Sequence, residues 1–260
     1  MTSRCLRLIL VVLCAIVLAF TTSAQDNSRL FTYSTLDALL AGVYDGDLTV
    51  SQLRAKGDFG IGTFNHLDGE MIMVDGVCYH AKSDGSVEIA KPQDKTPLAY
   101  VTRFHHAIAI KSERVLSLAE LEAWLDQHVA DKNLFHAIRV DGQFSAVTVR
   151  AVSPQKPPYR PLSEIVGTQV VNEYTDVRGV LIGIRSPAFS RGISVPGYHW
   201  HFISQDRKHG GHVLRLAGNG LEAQVDEIAG LDLQLPRNSG FAAADQGKDR
   251  TAEVKQVEGK

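Results

Sequence analysis

Polar and apolar residues repeat along this chain with two periods, and the switches between them mark out its elements. Leu36, Leu39, Leu40 and Val43 fall at i, i+3, i+4 and i+7 behind Ser34-Thr-Leu-Asp37. That is the stripe of an amphipathic helix behind a capping-box-like start, with Asp in place of the usual Glu or Gln. A second helix is predicted from Ser117 to about Lys132. There Ser117-Leu-Ala-Glu120 is a capping box, and Leu118, Leu121, Leu125 and Val129 share one face.

Elsewhere the apolar runs are short and bounded by turn residues, which predicts strands. A glycine-rich approach, Gly57 to Gly62, leads into Thr63-Phe64. Two runs between Glu70 and His80 meet at Asp75-Gly76, a hairpin signal because glycine supplies positive φ. Asp84-Gly85 repeats the device before Val87–Ile89. Residues 97–110 read as one strand, and Phe135–Val152 as two strands about Asp141-Gly142. Pro154, Pro157, Pro158 and Pro161 then fall close together, where neither a helix nor a central strand can continue. This cluster predicts the main internal boundary. Beyond it, strands are predicted at Val177–Ile184, Gly197–Ser204, His212–Leu216, Leu221–Ile228 and Leu231–Leu235, with Asn219-Gly220 as a turn. After Pro236 the composition is polar and contains glycine, which predicts a mobile tail.

The start of the chain follows neither period. Arg4 and Arg7 precede and flank an apolar run, Leu8 to Phe20, which ends in Thr22-Ser23-Ala24. A positive start, an apolar core of this length and small residues at −3 and −1 predict a secretory signal peptide over residues 1–24. The run is too short for a span of roughly 20 apolar residues, so a secreted or periplasmic protein without a membrane anchor is expected. Removing it takes two arginines and no acids, moving the net charge from −2 to −4. A chain this acidic offers no basic face to nucleic acid, leaving a small molecule or a protein as the partner. Two of the three cysteines, Cys5 and Cys14, fall in the signal. Cys78 alone cannot form an internal disulfide and reads as a small buried hydrophobe.

The candidate chemistry lies in Pro196-Gly-Tyr-His-Trp-His-Phe and the following Asp206-Arg-Lys-His-Gly-Gly-His212. Side chains alternate along a strand, so His199 and His201 project to one face, with Trp200 and Phe202 on the other. Gly210-Gly211 lets the chain reverse, and His212 can then stand beside the first two across a hairpin. Three converging imidazoles suit zinc, or less selectively iron, nickel or cobalt, and leave coordination positions open as catalytic sites do. A cupin-type site also begins with His-x-His, but Gln205 stands where that pattern wants Glu. His105-His106 face opposite ways on a strand; His66, His80, His128 and His136 are scattered without ligand spacing, and His209 sits in the turn.

These segments resemble the α-acetolactate decarboxylases. The similarity includes the histidine segment through Val213-Leu214 and Gly60-Ile-Gly-Thr-Phe-Asn-His-Leu-Asp-Gly-Glu-Met-Ile72. It continues through Phe135–Phe144, Thr148–Val152 and Gly183–Pro187 in the family's order. The resemblance implies an α/β (α+β) fold of two mixed or antiparallel β-sheet subdomains with a few flanking helices, the metal on the C-terminal sheet. With the patterns above it divides the chain into the signal, an N-terminal subdomain (25–153) whose sheet pairs in a homodimer, a metal-binding subdomain (154–236) and a tail (237–260) that reaches the active site. It implies zinc on His199, His201 and His212, with Glu70, Arg150 and Thr63 as active-site residues. A tail carboxylate is also implied: Glu258, with Glu253 as the fallback.

The implied reaction is the non-oxidative decarboxylation of 2-acetolactate to acetoin and carbon dioxide. Loss of carbon dioxide leaves electrons that must spread onto the neighbouring ketone as an enediolate. A metal on the ketone and hydroxyl oxygens stabilises that charge as a Lewis acid, without a pyridoxal or thiamine sink. Arg150 would pair with the departing carboxylate, and Glu70 or the tail glutamate would deliver the proton. Two other readings remain on the residues alone: a secreted zinc hydrolase, or a non-catalytic metal-binding module with a closed site.

Overall fold

The structure is a computed structural model that describes residues 28–129 and 131–258. The predicted signal segment lies outside the described residues. In chain order the first part comprises β1 (Arg29–Tyr33), α1 (Leu36–Leu40), β2 (Leu48–Thr49), α2 (Val50–Arg54), β3 (Phe59–Thr63), β4 (Glu70–Val74) and β5 (Val77–Ala81). Next come β6 (Val87–Ile89), β7 (Lys95–Thr96), β8 (Ala99–Thr102), β9 (Ile108–Ser112), β10 (Leu116–Ser117), α3 (Leu118–His128) and β11 (Phe135–Ala151). The chain continues through α4 (Leu162–Ile165), β12 (Val170–Ser186), β13 (Gly197–Ser204), β14 (Gly210–Ile228) and β15 (Gly230–Gln234), then α5 (Ser239–Ala243) and α6 (Thr251–Glu258). No helix among the described residues is long and apolar enough to cross a membrane.

Two sheets dominate this α+β arrangement. The seven-stranded sheet runs β15-β1-β8-β3-β4-β5-β6. The six-stranded sheet runs β10-β14-β11-β12-β13, with β9 on β14 and a further pairing of β14 with β13. The pairing of β11, β12, β13 and β14 therefore runs in a cycle. Strands from both sides of the proline cluster share each sheet: β9, β10 and β11 join β12–β14, while β15 lies parallel to β1.

Of the two predicted capping boxes, one forms. Ser117 and Glu120 cap α3 reciprocally as predicted, and the helix stops at His128, short of Lys132. At α1 the cap is Thr35, whose hydroxyl accepts from Ala38 N, while Ser34 takes positive φ. The Asp75-Gly76 turn forms with φ of 53° and 74°, the pair of left-handed residues that a tight hairpin needs.

The Asp84-Gly85 turn also forms, with Gly85 at φ 86° between the antiparallel strands β5 and β6, but the Asp141-Gly142 and Asn219-Gly220 signals misled. Asp141-Gly142 lies inside one continuous strand, β11, and Asn219-Gly220 inside β14. The two glycine-containing stretches face each other at an irregularity in the β11–β14 register. A Cβ on Gly142 would come within 2.4 Å of the Leu221 side chain, so this glycine serves close approach rather than a turn. The strand predicted at 97–110 is also two strands, β8 and β9, in different sheets. Between them the Asp226 carboxylate accepts from the backbone N–H groups of His105 and Ala107, fixing the crossing.

Three apolar clusters fill the molecule. One lies between the sheets and includes Ile61, Ile72, Tyr100, Ile182, Ile184, Ile203 and, from α6, Val257. A second packs α3 through Leu121 and Leu125 onto Val149, Leu181, Trp200 and Phe202. A third covers the outer face of the seven-stranded sheet with Val50 and Leu53 of α2 and contains Cys78. The tail thus differs from its predicted mobility. Val254 and Val257, three residues apart on α6, pack on the first cluster, and burying such side chains stabilises by about 1.5–3 kcal/mol each when complete.

Candidate metal centre

β13 alternates as its sequence requires. Tyr198, Trp200 and Phe202 enter the second cluster, so His199 and His201 project from the opposite face. The turn at 205–209 then brings β14 back antiparallel, and His212 pairs directly with His201 across the strands. His199 Nε2 stands 3.1 Å from His212 Nδ1. The ligand atoms of the three rings lie within 4.8 Å of one another.

His201 carries the clearest signature. Its Nδ1 donates to the Met71 carbonyl at 2.8 Å, which fixes the neutral tautomer and leaves a lone pair on Nε2. That Nε2 is buried without a hydrogen-bond partner. Burial, and then the neighbouring His199, hold the ring well below the usual histidine pKa, while the bond to Met71 acts weakly in the other direction. A buried, deprotonated nitrogen to which no hydrogen bond is made is what a metal ligand looks like before the metal is considered. The donor set therefore fits a divalent transition metal.

The carboxyls come from two other elements. Glu70 opens β4 and places Oε2 3.4 Å from His201 Nε2. Glu258 ends the described part of α6 and places Oε2 3.8 Å from His212 Nε2, with its side chain only 6% exposed. Burial pushes Glu70 up to about 8, with Glu258 adding to the rise and Arg150 opposing it. In the protein alone, Glu70 and His201 are thus a carboxylic acid facing an imidazole rather than an ion pair.

Arg150 reaches the same place by a route the sequence hides. On β11, Ile138, Val140 and Phe144 face the second cluster, but so do Val147 and Val149. The parity changes at a bulge between Phe144 and Ala146. Without that one-residue irregularity Arg150 would point into an apolar core; with it, Arg150 pairs across to His212 on the site face. Its Nη2 donates to the Val257 carbonyl at 2.8 Å, while Nε is buried without a partner. Arg150 therefore anchors the end of α6 and keeps a donor for something else.

Thr63 sits opposite Glu70 in the β3–β4 pair and donates to the Gly69 carbonyl at 2.7 Å, bracing the turn into β4. Glu253 lies apart: it pairs with Lys248 at 2.9 Å and Arg250 at 2.8 Å, so the tail carboxylate at the histidines is Glu258. The fallback is set aside for that reason. Sequence reasoning did not find the Met71 and Val257 carbonyls, because backbone acceptors leave no residue-type signal. Among the remaining histidines, His80 bonds the Asp68 carbonyl, while His136 lies beside Arg185.

The family model of alpha-acetolactate decarboxylase matches residues 30–247. An alpha-acetolactate decarboxylase of Methanosarcina mazei is 43% identical over 91% of this chain and 82% of its own length. One from Klebsiella aerogenes is 40% identical over 89% of each. The crystal structure of the alpha-acetolactate decarboxylase from Bacillus subtilis strain 168 superposes with a TM-score of 0.87 at 36% identity, covering 89% of this chain and all of that one. On the match over most of its length, the chain belongs to the alpha-acetolactate decarboxylase family.

Proposed function

We propose that this protein decarboxylates 2-acetolactate to acetoin and carbon dioxide at the site formed by His199, His201, His212, Glu70, Arg150 and Glu258. The observation that carries this reading is the orphaned, deprotonated Nε2 of His201 set between a second imidazole pair and a buried carboxyl. The three histidines would hold a divalent metal, zinc by its preference for neutral imidazole, which supplies Lewis acidity towards the charge that develops as carbon dioxide leaves.

The chain's own groups do the rest. The unpartnered Nε of Arg150 is a donor for the substrate carboxylate, and its burial makes that charge-assisted bond stronger than one in water. A bond there orients the carboxylate before cleavage. Glu70 holds a proton at neutral pH in the protein alone and stands beside His201, which makes it a candidate donor to the carbon next to the reacting ketone. Glu258 stands beside His212 rather than His201, and is the second carboxyl from which a proton could be delivered. Val257 and the apolar cluster beneath it exclude bulk water from this side. The amino-terminal segment supports export of the protein, and the family resemblance a homodimer.

The test is direct. Purified protein lacking residues 1–24 is incubated with 2-acetolactate, with and without a chelator, and acetoin is measured. Metal-dependent acetoin is expected; its absence would overturn the proposal.

A further inference from the structure

Behind the three histidines, the stacked rings of Tyr198 and Trp200, with centroids 5.6 Å apart and planes 5° from parallel, face α3. Trp200 Nε1 donates to Glu122 Oε1 at 3.1 Å, and the Tyr198 hydroxyl donates to Asp126 Oδ1 at 2.8 Å. The match is one of spacing. Residues four apart on a helix rise about 6 Å, and residues two apart on a strand rise about 6.6 Å, so one carboxylate meets each ring. The same Asp126 oxygen accepts from Arg185 Nη2 at 2.9 Å, and that guanidinium lies over the Tyr198 ring at 5.4 Å. Arg185 is also the cross-strand partner of Tyr198. Leu121 and Leu125, fully buried, seat the helix independently of these contacts.

The clamp acts where the backbone is least supported. β12 pairs with β13 along residues 197–204, but β14 pairs with it only at 201–203. The stretch 198–200 thus has a ladder on one side alone among the described residues. His199 lies in the middle of it and is the least buried of the three histidines. Its ring position follows the backbone of Tyr198 and Trp200, whose side chains α3 holds.

We propose that Glu122 and Asp126 are positioning residues for the metal centre: by fixing the back face of β13 they orient His199 and set metal affinity without touching the metal. This rests on the reading of the three histidines as a metal site. Outer contacts that orient a ligand are commonly worth 10–100-fold in metal affinity.

The experiment compares the wild-type protein with the double variant Glu122→Ala/Asp126→Ala and with Glu122→Gln, whose amide oxygen still accepts from Trp200. Zinc affinity is measured by competition with a chromophoric chelator, and the melting temperature of the metal-free proteins alongside it. The double variant is expected to bind zinc at least about tenfold more weakly, with Glu122→Gln close to wild type. A merely structural helix contact would lower the metal-free melting temperature and leave the zinc Kd unchanged, and that result overturns the proposal. Should the double variant not fold, Tyr198→Phe, which removes a single hydroxyl, is put to the same test. A wild-type protein that binds no zinc at all would instead sink the metal reading, and this proposal with it.

Discussion

Replacing His136 by Gln removes one titrating ring from the interior, and the effect on stability should depend on pH in a way its surroundings dictate. The ring is fully buried near the start of β11. Its Nδ1 lies 3.4 Å from Arg185 Nη1, and its Nε2 has no hydrogen-bond partner, with Glu227 Oε1 3.8 Å away. Burial first, and the Arg185 charge second, lower its pKa from 6.5 to about 4. Between those values the unfolded chain holds a proton that the folded protein does not. Acid therefore favours unfolding through this residue: its contribution is fully present above pH 6.5 and is lost as the pH falls towards 4. At about 1.4 kcal/mol per tenfold change in proton affinity, the whole loss is roughly 3 kcal/mol. Urea unfolding of chelator-treated wild type and His136→Gln, at several pH values from 4.5 to 7.5, isolates the term, because the other titrations cancel in the difference. The wild-type advantage should shrink by most of that amount on acidification. A difference that stays flat with pH refutes the assignment of the loss to His136.

Three further outcomes are expected. Arg150→Ala should retain zinc by direct metal analysis yet lose about 10- to 100-fold in kcat/KM, the usual worth of one charge-assisted hydrogen bond; loss of the metal would mean that its place beside His212 matters more than its donor. Glu70→Gln should lower kcat for acetoin formation by about 10²–10⁴-fold if that carboxyl moves the proton, and an unchanged kcat would pass the role to Glu258. Gly183→Ala places a Cβ 2.2 Å from the Trp200 ring, so overpacking should cost about 1–3 kcal/mol in chemical denaturation and shift the tryptophan emission.

What was legible in the sequence was mostly local. The period of two along β13 and the Gly210-Gly211 reversal put three histidines together within fourteen residues, and such short-range geometry survives whatever the rest of the fold does. The same local reasoning failed at Asp141-Gly142 and Asn219-Gly220. There a long antiparallel pairing competed with the turn, and the ladder won because each glycine stretch could yield to the other strand. It failed at the tail too, where Val254 and Val257 are a two-residue anchor in otherwise polar composition; only a waiting apolar surface makes such a helix stable.

The non-local part of the site obeys a different logic. The face Arg150 takes relative to the first half of β11 depends on a bulge at Ser145, where two residues of β11 advance against one of β14. The resemblance to known relatives named Arg150 and Glu70 where pattern could not. The division is physically reasonable. The histidines can wait on a rigid hairpin, because a neutral imidazole costs little to bury once one nitrogen is bonded. Carboxyls and a guanidinium are expensive to bury singly, and here they are brought in by three separate elements that desolvate one another only when the sheets and α6 come together. The bond from Arg150 to the Val257 carbonyl ties the last of those elements to the strand beside His212. Docking the end of α6 thus brings Glu258 to the histidines and buries Val257 against the core in the same step.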